Sequence, residues 1–123
     1  MKIFLILGVI NGFLAVALGA FGAHGLEGKI SEKMLDTWDK AVHYQMFHTM
    51  ALFITGLLAE KITGGSILWA GWLFFIGILL FSGSLYVYST TGIKSLAMIT
   101  PFGGLTFLAG WVILGYAVLK FIP

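Results

Sequence analysis

The chain has 123 residues, of which 59% are hydrophobic and only 10% are charged, and its mean hydropathy is +1.02. A soluble domain carries about 25% charged residues, so this composition excludes a free-standing soluble domain, and its apolar content excludes a disordered chain. The formal net charge is +2, from seven basic residues, all lysine, and five acidic residues. Because these charges are scattered and arginine is absent, we expect no nucleic-acid partner. The absence of cysteine excludes disulfides and thiol nucleophiles.

Four apolar segments of spanning length follow one another, at about 3–23, 41–60, 67–88 and 96–119. A spanning helix needs about 20 apolar residues, and backbone groups in lipid must form their hydrogen bonds within the protein. We therefore predict an all-α integral membrane protein in which residues 1–123 form one membrane domain, a four-helix up-down bundle. The first segment is too long for a signal-peptide core, which runs about 7–15 residues, so we predict a retained span.

The polar stretch before the second span has the pattern of an amphipathic helix. Ser31 is a suitable N-cap, and Glu32 lies in the first turn that would follow it. Met34, Trp38 and Ala41 then recur at helical spacing. We predict a helix on the membrane surface that runs into the second span; a partly helical polar loop is the alternative.

Small or mildly polar residues recur at helical spacing in the spans, where they allow helices to approach closely. The predicted packing positions are Gly8, Asn11, Gly12, Gly19, Gly22, Gly77, Gly103 and Gly110. Gly8 and Gly12 form a GxxxG pair. A path for a substrate or ion along these faces is the alternative to plain packing.

An up-down topology would bring polar residues from several spans to one membrane face. The members of this predicted polar cluster are His24, His43, Tyr44, Gln45, His48, Thr100 and Pro101. Gln45 and His48 are three residues apart and share a helix face. Polar groups at this depth are costly unless paired, so the cluster either holds helices together or binds a ligand or proton. Pro101, followed by Gly103 and Gly104, is typical of a kinked or broken helix.

The sequence contains no phosphate loop, dinucleotide fingerprint, nucleophile elbow or zinc-protease motif. Its carboxylates between the first two spans have the pattern of a solvated face. We therefore expect no enzymatic activity, no cofactor and no metal site. The expected partners are the lipid bilayer and a second copy of the chain or another membrane protein, with any small ligand unidentified.

Five motifs resemble a known family. They are Gly19–Leu26, Tyr44–His48, Phe81–Tyr86, Ile99–Gly104 and Ala109–Trp111. In this order they are similar to the signatures of domain-of-unknown-function family 423, the UPF0382-type bacterial relatives of transmembrane protein 256. The resemblance covers nearly the whole chain and implies a multi-pass protein of the bacterial cell membrane with about four spans. It implies no activity, although its motifs coincide with the polar cluster.

Two hypotheses follow for the function. The first is a structural, interaction or scaffold role in the cell membrane, favoured by the glycine-lined faces. The second is a small transporter, channel or ligand-binding protein that uses the polar cluster. The orientation stays open, because three lysines fall on one predicted side and four on the other.

Overall fold

The fold is helical throughout residues 2–122, which are the residues that the computed structural model describes. In chain order the helices are α1 (Lys2–His24), α2 (Glu32–Leu58), α3 (Ser66–Gly77), a π segment (Ile78–Gly83), α4 (Ser84–Thr91), α5 (Lys94–Ala97) and α6 (Thr100–Phe121). No strand occurs between residues 2 and 122, which confirms the all-α class. Three stretches are long and apolar enough to cross a membrane: Lys2–His24, Ser66–Thr91 and Lys94–Phe121.

Helices α1 and α2 form a closely packed pair. Four glycines of α1 each face one side chain of α2, in the pairs Gly8–Phe53, Gly12–Thr49, Gly19–Val42 and Gly22–Trp38. From one pair to the next the residue number rises in α1 and falls in α2. The two helices are therefore antiparallel over almost the whole length of α1. At Gly8 and Gly22 the partner side chain occupies the space that a Cβ atom would fill, whereas a Cβ atom on Gly12 would lie in ordinary contact with Thr49 at 3.6 Å.

A second close pair joins α6 to α3 and the π segment. Gly77 faces the Phe107 ring, Gly110 faces the Phe74 ring, and Gly103 faces the backbone of Phe81. The contact at Gly103 brings two backbones together, which is the closest kind of helix packing.

The π segment interrupts the stretch that was predicted as one uniform third span. It runs from Ile78 to Gly83 and continues directly from α3 into α4. The Ser82 hydroxyl donates a hydrogen bond of 2.7 Å to the carbonyl oxygen of Ala41 in α2. Because a π turn holds an extra residue, this segment changes which side chains of α4 face α2.

Helix α2 is longer than its predicted span, because the polar stretch and the apolar stretch form one continuous helix. Ser31 caps it, since its hydroxyl accepts a hydrogen bond of 3.2 Å from the backbone N–H of Met34. The helix begins at Glu32 and ends at Leu58. Polar side chains, among them Gln45 and His48, lower the mean hydropathy of α2, so α2 is not one of the three stretches that are apolar enough to cross a membrane by composition.

The break expected near Pro101 lies before that residue. Helix α5 ends at Ala97, a turn follows at Met98 and Ile99, and α6 starts at Thr100 with Pro101 in its first turn. Proline costs no hydrogen bond there, because the first N–H groups of a helix have no partner within it. A kink at Pro101 is therefore not needed, and α6 runs uninterrupted to Phe121.

Apolar side chains cover the outside of the helices as well as the interior. Phe4, Leu52 and Phe74 are fully buried between helices. In contrast, Phe13 and Val112 are 73% and 72% exposed. A surface this apolar fits a lipid environment better than water.

Candidate functional site

Gln45 lies at the centre of a hydrogen-bonded chain that joins three helices. Its side chain is 3% exposed. Its Nε2 donates to Asn11 Oδ1 of α1 at 3.0 Å, and its Oε1 accepts from the Tyr86 hydroxyl of α4 at 2.7 Å. The chain thereby connects α1, α2 and α4 through side chains alone.

The amides of this chain are only partly used. Asn11 is 4% exposed and donates from Nδ2 to the carbonyl oxygen of Leu7 at 2.8 Å. A primary amide has two N–H groups. Among residues 2–122, the hydrogen bonds of Asn11 and Gln45 account for one N–H on each amide. One further donor on each buried side chain is thus available.

His48 belongs to a separate arrangement on the side of α2 that faces α6. The Trp111 Nε1–H donates to His48 Nε2 at 3.0 Å, and His48 Nδ1 lies 2.8 Å from the carbonyl oxygen of Tyr44. Because an indole nitrogen can only donate, Nε2 is the acceptor, and the ring hydrogen sits on Nδ1. The ring also stacks on Phe107 with centroids 3.5 Å apart. Both ring nitrogens are therefore engaged, Nε2 with α6 and Nδ1 within α2.

Two of the clefts beside α2 have its buried polar side chains in their walls. The first, the His48 cleft, has a volume of about 570 Å³ and lies between α2, the π segment and α6, with Tyr44, His48, Pro101, Gly104, Leu108 and Trp111 in its wall. The second, the Gln45 cleft, has a volume of about 420 Å³ and lies between α1, α2 and the stretch from α3 to α4, with Asn11, Gln45, Ser82, Gly83 and Tyr86 in its wall. Gln45 and His48 share a face of α2 yet line different clefts.

The structure divides the predicted polar cluster. His24 lies exposed at the end of α1, and His43 is exposed on α2, where its Nδ1 lies 2.7 Å from the carbonyl oxygen of Asp39. Thr100 pairs with Ser84 at 2.6 Å between their hydroxyl oxygens. Tyr44 is half-exposed, with its ring 4.3 Å from that of Phe81.

Pro101 contributes to the His48 cleft, and Gln45 and His48 are the buried members of the predicted cluster. His24 and His43 are not brought to either of these two side chains. Within residues 2–122, no three side chains of the metal-ligating types come together.

Tyr86, Trp111, Ser82 and Ser84 are polar partners that neither the predicted cluster nor the predicted packing positions included. Tyr86 and Trp111 supply the hydrogen bonds to Gln45 and His48, and Ser82 supplies the bond to α2. The sequence does indicate the depth of Tyr86, because it lies near the end of the predicted third span, at the membrane face of the predicted cluster. Its direction depended on the π segment, which hydropathy patterns do not reveal.

The long apolar helices, the buried polar chain and the glycine-lined contacts define a helical membrane protein with several spans. The family described as "Protein of unknown function (DUF423)" matches residues 18–104. The chain belongs to this family. No solved structure matches the chain significantly.

Relatives of the chain carry the name UPF0382 membrane protein. YwdK of Bacillus subtilis (strain 168) is 54% identical over 99% of this chain and 100% of its own length. A relative from Staphylococcus epidermidis, SERP0230, is 51% identical over 98% of both chains. A third, SAB0533 of Staphylococcus aureus, is 53% identical over 98% of both chains. These names describe a membrane location and no biochemical activity.

Proposed function

We propose that the chain is a four-span protein of the bacterial cell membrane with a structural or interaction role and no catalytic activity. The observation that carries the placement is the antiparallel contact of α1 and α2, which runs from Gly22–Trp38 to Gly8–Phe53. If α1 crosses the bilayer, the part of α2 that lies beside it crosses too. Helix α1 has 23 residues, about 35 Å at 1.5 Å per residue, which exceeds the hydrocarbon core of about 30 Å.

The exposed side chains of α2 support its placement in lipid. Between Ala41 and Ala59 the chain has no charged residue, and Phe47, Met50 and Leu57 are each more than half exposed. The polar side chains Gln45 and His48 are buried against other helices instead, and the exposed His43 lies near the start of this stretch, beside the charged turns. This arrangement, with polar groups inside and apolar groups outside, is what a spanning helix requires. The charged first turns of α2 then form the predicted amphipathic extension at the membrane surface.

A non-catalytic role is favoured by how the intramembrane polar groups are used. His48 has both ring nitrogens engaged, and its neighbours are aromatic rings. Ser82 donates to a backbone carbonyl, so its hydroxyl has no base beside it. An activated nucleophile needs a base within hydrogen-bond reach, and the interior of residues 2–122 offers no such pair.

The topology is tested by labelling single cysteines, which the chain allows without background because it has no cysteine of its own. Impermeant maleimide is applied to intact cells and to lysed cells that express Lys2→Cys, Glu27→Cys, Thr63→Cys or Thr91→Cys. Four spans predict that Thr63→Cys labels from the side of Lys2→Cys, and Thr91→Cys from the side of Glu27→Cys. If α2 does not cross, Thr63→Cys labels from the side of Glu27→Cys, and the proposal is wrong.

The interaction role is tested by native mass spectrometry of the protein extracted in mild detergent. An interaction role predicts that a second copy of the chain or a specific membrane protein partner is found with it. A strictly monomeric protein without a co-purifying protein would contradict this role. The alternative function, ligand binding or transport, is favoured by one observation, the spare amide donors of the Gln45 cleft.

A further inference from the structure

We propose that the Gln45 cleft binds a membrane-dissolved molecule that presents a carbonyl oxygen on an apolar body. This inference rests on the membrane placement proposed above and assigns a ligand class to the alternative function. It is independent of whether the protein associates with a second protein.

The cleft offers hydrogen-bond donors that the protein does not use. Asn11 and Gln45 are both more than nine-tenths buried, both line the cleft, and each has one amide N–H beyond its bonds within residues 2–122. An unpaired N–H is costly where no water is available. A ligand oxygen with two lone pairs can accept from both amides, so a carbonyl group satisfies the site.

The rest of the wall selects an apolar body without charge. Leu7 and Leu14 of α1 and Ile78 and Leu79 of the π segment line the cleft, and no charged side chain does. Leu79 is 56% exposed at the outer surface, so the cleft opens toward lipid. Its volume of about 420 Å³ falls in the range of about 300–1,000 Å³ that small-molecule sites occupy. The ligand would therefore enter sideways from the bilayer.

The π segment shapes the cleft. Ser82 fixes this segment to α2 through its hydrogen bond to Ala41, and Gly83 presents no side chain to the cleft. Single π turns within α-helices are rare and often lie at functional sites. Here the turn holds the third span against α2 and leaves space toward α1, beside the amides.

The His48 cleft is a natural comparison site because no side-chain amide lines it. The nitrogens of His48 and Trp111 are committed to each other and to Tyr44. The cleft is larger, about 570 Å³, so a molecule that merely seeks apolar space would prefer it. Selective binding in the Gln45 cleft would thus depend on hydrogen bonds and not on volume.

Two glycines give matched variants that fill one cleft each. A Cβ atom on Gly83 would lie 3.9 Å from its nearest neighbour, and a Cβ atom on Gly104 would also lie 3.9 Å from its nearest neighbour. Both positions therefore accept a side chain without a clash at Cβ. Gly83→Leu fills the Gln45 cleft, and Gly104→Leu fills the His48 cleft, while the hydrogen-bonding side chains remain.

Binding is measured on the full chain in detergent with two probes, a short-chain isoprenoid quinone and a diacylglycerol. Quinone binding is followed by quenching of tryptophan fluorescence, since Trp38 contacts the Tyr86 ring at 4.7 Å between centroids. Diacylglycerol binding is followed by native mass spectrometry. The probe that binds identifies the source of the carbonyl group, a quinone ring or a lipid ester.

The wild-type protein and Gly104→Leu should bind one of the probes with the same Kd, and Gly83→Leu should bind it at least about tenfold more weakly. Gln45→Met, which keeps the length of the side chain but removes its amide, should weaken binding about tenfold. The inference is overturned if neither probe binds the wild-type protein. It is also overturned if Gly83→Leu binds like wild type, or if Gly104→Leu loses as much affinity. Cysteine labelling at Thr63 reports separately on the membrane placement.

Discussion

Gly103 of α6 lies against the backbone of the π segment, and one added methyl group there tests how closely the two helices meet. A Cβ atom at this position would lie 2.7 Å from Phe81 Cα and 2.8 Å from the carbonyl carbon of Leu80. Carbon atoms in contact prefer about 3.5–4.0 Å, so Gly103→Ala must push α6 and the π segment apart by about 1 Å. Backbone atoms cannot swing away as a side chain does.

The neighbouring glycine supplies the control. A Cβ atom at Gly104 would meet nothing closer than 3.9 Å, so Gly104→Ala adds a methyl group in ordinary van der Waals contact. Both substitutions gain the same helix preference of alanine over glycine, about 0.8–1.0 kcal/mol. The preference cancels in the comparison. The remaining difference is the overpacking at Gly103, about 1–3 kcal/mol.

The assay is reversible unfolding in mixed micelles by titration with sodium dodecyl sulfate, followed by circular dichroism. We expect the free energy of unfolding of Gly103→Ala to be about 1–3 kcal/mol lower than that of Gly104→Ala. If the two variants unfold with equal free energies, the close backbone contact between α6 and the π segment is refuted. A loss in Gly104→Ala alone would refute it as well.

Three further substitutions test the polar contacts by the same unfolding titration. Tyr86→Phe removes the donor to Gln45 Oε1 and should lower the free energy of unfolding by about 1–2 kcal/mol, because a buried amide oxygen loses its partner; an unchanged free energy would contradict this. Trp111→Phe removes the donor to His48 and should lower the free energy of unfolding by about 1 kcal/mol. Nitrogen NMR of the wild-type protein should find His48 as the Nδ1–H tautomer, and an Nε2–H tautomer would refute the assigned hydrogen bond. Ser82→Ala removes the link from the π segment to α2 and should cost about 0.5–1.5 kcal/mol, whereas a more stable variant would show that the link is not needed.

The helical class and the α1–α2 contact are the parts that the sequence predicts best. Glycines at positions 8, 12, 19 and 22 leave one face of α1 with few side-chain atoms, and α2 lies against that face. The same argument holds for Gly77 and Gly110 against the Phe107 and Phe74 rings. A small residue fixes where a neighbour comes close, so spacing along the sequence carries this information.

The hydrogen-bond partners could not be predicted, because they depend on rotation between helices. Gln45 and His48 share a face of α2, as their spacing predicts, yet one bonds toward α1 and α4 and the other toward α6. Three residues along a helix turn the chain by about 300°, which leaves two side chains about 60° apart. That angle suffices to separate them between two neighbouring helices. The π segment adds a further rotation for Tyr86, and hydropathy patterns are insensitive to it.

If α2 crosses the membrane as proposed, its low hydropathy has a structural cause. This helix contacts α1, α3, the π segment and α4, and its buried polar side chains bond to α1, α4 and α6. A helix with so many neighbours exposes a narrower strip to lipid, so it can carry amides and imidazoles that a peripheral helix cannot. Hydropathy alone thus underestimates the ability of the most enclosed helix of a small bundle to span a membrane. For the same reason, the least apolar helix is where a ligand site is best built, because its polar groups can be directed at a cleft instead of at lipid.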